Sequence, residues 1–131
     1  MITEDYVSFE TAKLLKEKGF DEPCQFLYFS KYKQEGDFVG NFNARKNSEI
    51  NEASYSAPTL QMAMKWLREE KKLNCITDVS FNQNRNEETE YYFSVWENKP
   101  PYELLRESSQ TFSTYEEACK TAIKYCLENL I

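Results

Sequence analysis

Cysteine is the residue type in this sequence that comes nearest to a reactive site. Two of the four cysteines, Cys119 and Cys126, lie seven residues apart in the closing stretch TYEEACKTAIKYCLENLI. A thiol becomes a nucleophile or a metal ligand where a base or a cation lowers its pKa. Seven residues of helix rise about 10.5 Å, so these two thiols are too far apart to bond each other or to share one ion. We interpret them as small apolar core residues.

The remaining residue types also predict a protein without a catalytic centre. The chain has no histidine, which removes the commonest general base and metal ligand, and its three glycines cannot form a phosphate-binding loop. Cys24 and Cys75 lack the close spacing of a zinc site. The adjacent carboxylates fall at positions typical of solvated surface; they are Glu69-Glu70, Glu87-Glu88 and Glu116-Glu117. We therefore expect no catalytic residue, no metal and no cofactor.

The composition indicates one globular domain over residues 1–131. The chain is 40% hydrophobic and 29% charged, and its formal net charge is −6. This negative charge repels phosphate backbones and anionic membrane surfaces, which disfavours nucleic acid as a partner. The sequence has no basic N-terminal stretch followed by an apolar run, and no segment of the roughly 18 apolar residues that a membrane span needs. We expect a soluble, intracellular protein that binds no membrane.

Three segments have the apolar periodicity of amphipathic helices. The first follows Ser8 as its N-cap and runs to about Lys18, and Gly19 suits the left-handed position after it. The second begins after Pro58. The third begins after Thr114, which opens a T-x-x-E capping box, and it has the longest apolar stripe of the chain.

The stretches between the helices are typical of strands. One predicted hairpin joins CQFLYFSKY (24–32) to DFVGNF (37–42), and a second joins CITDVSF (75–81) to EYYFSVWEN (90–98). The pattern over 103–112 leaves a further strand open. Residues 43–56 are polar and without period, and they predict an exposed connecting loop.

This element order predicts an α+β fold of two layers, in which an antiparallel sheet of four to five strands carries three helices. The order is α-β-β-α-β-β-(β)-α. Its second half has the helix-strand-strand-strand-helix order of a double-stranded RNA-binding domain. Such a domain contacts phosphates from the N-terminus of its last helix, where this chain has Glu116 and Glu117. Two carboxylates at that position oppose phosphate binding.

Aromatic residues make up 15% of the chain and suggest a binding surface on the sheet face that the helices leave open. With one choice of strand parity, this face carries Tyr28 and Tyr32 on one strand and Tyr92 and Trp96 on another. The opposite parity in each strand fits equally well. Tyrosine and tryptophan anchor many protein interfaces, so these four are candidate interface residues. The competing interpretation is that they are core residues, or that they pack beneath the 43–56 loop.

Three segments also resemble those of small uncharacterised proteins encoded in prophages and mobile elements of Bacteroidetes. They are YVSFETAKLLKEKGF, SAPTLQMAMKWLREEKKL and TYEEACKTAIKYCLENLI. The likeness covers the three predicted helices and is looser over 30–56 and 82–110. It implies a cytoplasmic protein of a phage or mobile element, and it brings no assigned activity and no site residues.

We therefore expect a non-enzymatic interaction module that binds protein through an aromatic sheet face. The partner is a second copy of the chain or a host or phage protein, and a homodimer is favoured. The alternative is a nucleic-acid-binding accessory protein, which one exposed basic stripe of Lys65, Arg68, Lys71 and Lys72 would favour. The third is an enzyme with a carboxylate site, which would need a deep pocket with converging carboxylates.

Overall fold

The computed structural model describes residues 1–29, 37–80 and 88–131 of the chain. These residues form three α-helices, six β-strands and one short 3-10 helix. The α-helices are α1 (Phe9–Glu17), α2 (Leu60–Glu70) and α3 (Tyr115–Asn129). The strands are β1 (Cys24–Phe29), β2 (Asp37–Arg45), β3 (Ser54–Ser56), β4 (Leu73–Ser80), β5 (Glu90–Glu97) and β6 (Leu104–Glu107), and the 3-10 helix is Asn47–Glu49. No helix in these three ranges is long and apolar enough to cross a membrane.

The described strands pair antiparallel in two three-stranded sheets, in the orders β2-β1-β3 and β4-β5-β6. The predicted α+β class, with three helices and antiparallel strands, is confirmed, and the strands are divided between two sheets. The chain also divides into two compact units, Met1–Ala63 (unit 1) and Met64–Ile131 (unit 2), with the division inside α2. A single domain over 1–131 stays a prediction.

Helix α1 begins and ends where local chemistry predicts. Ser8 is the N-cap, and its side-chain oxygen accepts a hydrogen bond from the Thr11 amide at 3.2 Å. At the other end Gly19 has a φ of 95°, a left-handed conformation that costs glycine little. The amide of Phe20 then donates to the carbonyl of Leu15 at 2.9 Å, which closes the helix end.

Residues 43–56 contain structure that the predicted exposed loop did not include. β2 continues to Arg45, and the 3-10 helix and β3 follow. Asn47 is only 6% exposed, and its amide nitrogen donates to the Phe20 carbonyl at 2.8 Å. Its side-chain oxygen accepts from the amide of Ser56, also at 2.8 Å. A buried polar side chain therefore joins β3 to the residues after α1, which hydrophobic periodicity cannot predict.

Asp21 holds the start of the same 3-10 helix. Its two carboxylate oxygens accept from the amide and the hydroxyl of Ser48, at 2.8 and 2.9 Å. These hydrogen bonds lower the pKa of Asp21, chiefly through the Ser48 amide, and Lys46 adds a favourable charge. The carboxylate is therefore the form that the fold prefers.

Unit 2 places α3 on one face of the β4-β5-β6 sheet. The Sγ atoms of Cys75 on β4 and Cys126 on α3 are 3.5 Å apart, and Thr77 Oγ1 is 3.3 Å from the Sγ of Cys119. Cys75 pairs with Val95 on β5, which is fully buried. Because side chains alternate along a strand, the neighbours of Val95 point to the opposite face.

Strand β6 and helix α3 are the last two regular elements that the structure describes. Thr114 caps α3, since its hydroxyl accepts from the amide of Glu117 at 3.1 Å, as the capping box predicts. The middle of the predicted apolar stripe is buried, whereas Tyr115 at its start is exposed and Leu130 at its end is partly exposed. The fully buried members are Ala118, Cys119, Ala122, Ile123, Cys126 and Leu127. The strand that the sequence left open is present as β6, and an isolated bridge between Tyr91 and Phe112 follows it.

We predict that Asn47→Ala lowers the free energy of unfolding by about 2 kcal/mol, because it leaves the Phe20 carbonyl and the Ser56 amide without their buried partner. Equilibrium urea unfolding would measure the loss. Asn43→Ala is the matched control, since Asn43 is exposed on β2 and should change stability by less than about 0.5 kcal/mol. Equal stabilities of the two variants would contradict this role of Asn47.

Candidate functional site

The predicted interface residues fall in different parts of the chain. Tyr28 lies on β1 in unit 1, whereas Tyr92 and Trp96 lie on β5 in unit 2. Tyr32 lies outside the described residues. The structure therefore brings Tyr92 and Trp96 onto one sheet face and places Tyr28 in the other sheet. Whether the four act together as an interface stays a prediction.

Tyr28 belongs to a network of aromatic side chains in unit 1, here called the aromatic cluster, which has six members among the residues that the structure describes. The members are Tyr6, Phe9, Phe26, Tyr28, Phe38 and Tyr55. Contacting rings have centroids 5.0 to 5.7 Å apart, a separation at which aromatic pairs attract. Phe26 and Phe38 stack with their planes 5° apart, and the other pairs are tilted or edge-to-face. The cluster is continuous.

The register of β1 assembles this cluster. Tyr28 pairs with Phe38 on β2 and with Tyr55 on β3, so the three side chains share one sheet face. Phe26, two residues earlier, shares that face and pairs with Gly40. A Cβ at position 40 would lie 3.3 Å from a ring carbon of Phe26, so the glycine provides the room that this ring occupies.

Residues outside the strands complete and fix the cluster. Phe9, the first residue of α1, contacts both Tyr28 and Tyr55 edge-to-face. The Tyr28 hydroxyl donates to the carbonyl of Val7 at 2.7 Å, which satisfies its polar end and fixes the ring. Lys16 lies over the Tyr55 ring, 5.4 Å from its centroid, and its ammonium donates to the backbone of β3. These contacts hold the rings in one arrangement.

The cluster is accessible at the sheet edge. Phe38 is 43% exposed, and the other five members are partly exposed. Val39, the next residue, points to the other face of β2 and is 42% exposed. β2 is an outer strand of its sheet, so both exposed side chains lie on an edge whose outer side pairs with no described strand. An exposed apolar edge of this kind is a place where another chain can bind.

Sequence reasoning found Tyr28 and missed the other members of the cluster. Tyr6 and Phe9 lie before and at the start of a helix, where strand parity says nothing about them. Tyr55 lies on β3, in the segment that was predicted to be an exposed loop. The glycine at position 40 was the one available signal, because a glycine within a strand often marks close approach of another side chain.

A second apolar surface lies on the face of unit 2 opposite α3. Trp96 donates from its indole nitrogen to the Ser94 hydroxyl at 3.0 Å, so the ring lies back along β5. Ile76 and Leu104, which are 42% and 45% exposed, lie on this face because they pair with Ser94 and Trp96. Tyr92 shares the face by strand parity. The register places Tyr92 and Trp96 on one face, and their role as interface residues stays a prediction.

The thiols have the environment of core residues. All four cysteines are free and buried. Burial raises the pKa of Cys24 to about 12, with a further contribution from Glu22, and it also raises the pKa of Cys119. The hydrogen bond to Cys126, together with burial, raises the pKa of Cys75. Within the described ranges, no group of three or more cysteine and carboxylate side chains could hold a metal ion.

The basic residues of α2, and the two lysines that follow its last residue, are partly engaged with this helix. The ammonium of Lys72 donates to the carbonyl of Glu69 at 2.8 Å, and that of Lys71 lies 5.4 Å from the centroid of the Trp66 ring. Lys65 is exposed and Arg68 is partly exposed. Cations near a helix C-terminus stabilise its dipole, and acidic neighbours on the same helix reduce any attraction for phosphate. This arrangement does not strengthen the nucleic-acid alternative.

The chain matches no protein-family model, no curated protein and no solved structure with significant similarity. The function proposed below is therefore inferred from the residues of this chain and their geometry.

We predict that Gly40→Val lowers the free energy of unfolding by about 1–3 kcal/mol, because the added side chain displaces the Phe26 ring from its stack on Phe38. Urea unfolding measures the loss, and ring-current shifts of the Phe38 protons report the stack. Val39→Thr is the control, since that side chain lies on the other face and is exposed. A Gly40→Val variant with wild-type stability and unchanged ring shifts would refute the packing argument.

We also predict that the thiols resist alkylation in the folded protein. Iodoacetamide reacts with the thiolate, and burial both hides the sulfur atoms and raises the pKa of Cys24 and Cys119. The hydrogen bond to Cys126, together with burial, raises the pKa of Cys75. Mass spectrometry should find almost no labelling at pH 8 and complete labelling of all four after unfolding in urea. Fast labelling of one cysteine in the folded state would identify a reactive thiol and reopen the enzyme hypothesis.

Proposed function

We propose that the protein is a non-enzymatic interaction module that binds protein through the aromatic cluster, and that its partner is a second copy of the same chain. The observation that carries this proposal is the exposure of Phe38 at the edge of the cluster, on an outer strand. Aromatic anchors held in place by neighbours are typical of the residues that dominate binding energy at interfaces.

The edge strand supports association by strand pairing. Natural edge strands are protected by charged residues or proline, yet from Phe38 to Ala44 the sequence FVGNFNA has neither. A second chain could therefore add its strand beside β2, and Phe38 and Val39 would be covered on the two faces of the extended sheet. Covering both removes apolar surface from water at about 25 cal/mol per Å².

The sequence of β2 favours a second copy over a foreign strand. Its two ends carry unlike charges, Asp37 at the start and Arg45 at the end. Antiparallel pairing of two copies about a twofold axis brings the unlike ends together, so the same strand is complementary to itself. A host or phage protein is the other partner that the interaction hypothesis allows, in keeping with the prophage resemblance.

The chemical groups support binding over catalysis. The thiols are buried and hydrogen-bonded or desolvated, and the first turn of α3 presents the exposed carboxylates Glu116 and Glu117 where an RNA-binding domain needs cations. Unit 2 does have the α-β-β-β-α order of that class. A shared order without the phosphate-binding site supports no common function.

We predict that Phe38→Ala raises the dissociation constant for self-association about tenfold or more, because it removes a central aromatic anchor. Sedimentation equilibrium over protein concentrations from about micromolar to about millimolar would measure the constant. Val39→Lys, which leaves the cluster intact and charges the strand edge, should weaken association as well. Ile76→Ala is the matched control, since Ile76 is equally exposed in unit 2.

Three outcomes would contradict this proposal in different ways. A chain that is monomeric throughout the concentration range would exclude the second copy as partner. Loss of association in Trp96→Ala, with Phe38→Ala unchanged, would move the interface to the face of unit 2 that carries Trp96. Retention of wild-type association by Val39→Lys would exclude pairing at the edge of β2.

A further inference from the structure

Unit 2 contains a groove that the interaction surface does not use. It has a volume of about 560 Å³ and is lined by Ser80, Tyr92, Glu107 and the segment Ser108–Thr111. Sites for small ligands typically have about 300–1,000 Å³, so the groove has the size of one. Its lining is unusual for such a site, because one aromatic ring is surrounded by hydroxyl, amide and carboxylate groups.

Strand register explains the floor of the groove. Ser80 pairs with Glu90, Tyr92 with Asp78, and Glu107 with Ser94. Glu90, Tyr92 and Ser94 alternate along β5, so Ser80, Tyr92 and Glu107 point to the same side of the sheet, away from α3. The ring therefore lies between a hydroxyl on β4 and a carboxylate on β6.

The wall of the groove is fixed at both ends. At one end the Ser108 amide donates to the Phe93 carbonyl, and the Phe93 amide donates to the Ser108 hydroxyl, at 2.9 and 3.1 Å. At the other end Tyr91 and Phe112 exchange two backbone hydrogen bonds of 2.8 Å. The Thr111 hydroxyl also donates to the Glu90 carboxylate at 3.0 Å. A wall held in this way loses little conformational entropy when a ligand binds.

The lining selects for a neutral, hydroxyl-rich ligand. Serine hydroxyls and the Gln110 amide can donate and accept hydrogen bonds, and the Glu107 carboxylate accepts them, which matches sugar hydroxyls that do both. The face of the Tyr92 ring is apolar with a negative quadrupole, suited to the C–H face of a pyranose. Among the residues that the structure describes, no lysine or arginine lines the groove, so within this lining a phosphorylated or carboxylated ligand would meet Glu107 without a compensating cation.

We propose that this groove is a binding site for a neutral mono- or disaccharide, with Tyr92 as the stacking platform and Glu107 as the principal hydrogen-bond acceptor. The site is independent of self-association through the aromatic cluster, because every residue in it belongs to unit 2. Phe38→Ala should therefore leave saccharide binding unchanged, and failure of either proposal leaves the other standing.

The test is a titration of the isotope-labelled full chain with glucose, galactose, N-acetylglucosamine and maltose, followed by amide chemical shifts. We expect at least one of them to shift amides of residues 80, 92 and 107–111 with a dissociation constant of about 0.1–10 mM. Glucose 6-phosphate is the anionic comparison and should bind about tenfold more weakly than glucose. Absence of localised shifts with all four sugars would overturn the proposal, as would tighter binding of the phosphate.

Substitutions distinguish binding in the groove from a nonspecific effect of the sugar on the amide chemical shifts. Tyr92→Ala should weaken binding about tenfold, and Glu107→Gln, which keeps the shape of the side chain, about threefold or more. Tyr102→Ala removes an equally large and more exposed tyrosine outside the groove and should have no effect. Gln110→Ala changes only an exposed wall residue and should weaken binding without altering the sheet. Wild-type affinity in both Tyr92→Ala and Gln110→Ala would overturn the assignment.

Discussion

The pairing register of each sheet's central strand is the constraint on which both units depend. On β1, Tyr28 lies opposite Phe38 and Tyr55, while Leu27 lies opposite Val39 and Ser56. A slip of one residue would move the buried Leu27 onto the aromatic face and scatter the rings. The aromatic cluster is therefore a consequence of the same register that buries Leu27, and it needs no separate mechanism to form.

The same constraint acts on β5 in unit 2. Phe93 and Val95 are buried on the side of α3, and this fixes Tyr92, Ser94 and Trp96 on the other side. Burying a large apolar side chain contributes about 1.5–3 kcal/mol, so exchanging the two faces would be costly. The groove and the apolar surface around Trp96 are thus fixed by residues that neither of them contains.

Elements whose signals lie within a few residues could be predicted from the sequence. Ser8 caps α1, Gly19 ends it, and Thr114 opens α3, and each acts on backbone groups that are its near neighbours in the chain. Strands β1, β4 and β5 were also predicted, because their apolar and aromatic residues recur with period two. In these places local chemistry and the fold agree.

Elements that depend on distant partners could not be predicted in this way. β3 has the sequence Ser54, Tyr55, Ser56, and both serines are buried because the chain around them is held by tertiary hydrogen bonds such as those of Asn47. Buried polar residues that hydrogen-bond to each other produce no hydrophobic periodicity in the sequence. The division of the strands between two sheets likewise depends on which strands pair with each other. The alternation of apolar and polar residues along a strand does not indicate its partner.

Of the six described members of the aromatic cluster, only Tyr28 was a candidate interface residue in the sequence, and its role in binding stays a prediction. A parity argument can place Tyr28 on a face, but it cannot recruit Tyr6 and Phe9, which reach the same rings from outside the sheet. It also cannot tell that the Tyr28 hydroxyl has a backbone partner in Val7, which lets the ring remain at a partly exposed position. The contacts that make a cluster rigid are tertiary, whereas the pattern that suggests it is local.

The distribution of polar and apolar groups is consistent with the proposed interaction module. The thiols are in the interior, where burial raises the pKa of Cys24 and of Cys119, and the hydrogen bond to Cys126 together with burial raises the pKa of Cys75. Apolar groups are instead exposed at Phe38, Val39, Ile76 and Leu104, although each costs solubility. A net charge of −6 offsets that cost by keeping copies apart at long range, while contact between apolar surfaces acts only at short range. In the proposed self-association, the specificity of binding would therefore depend on shape and strand pairing more than on charge.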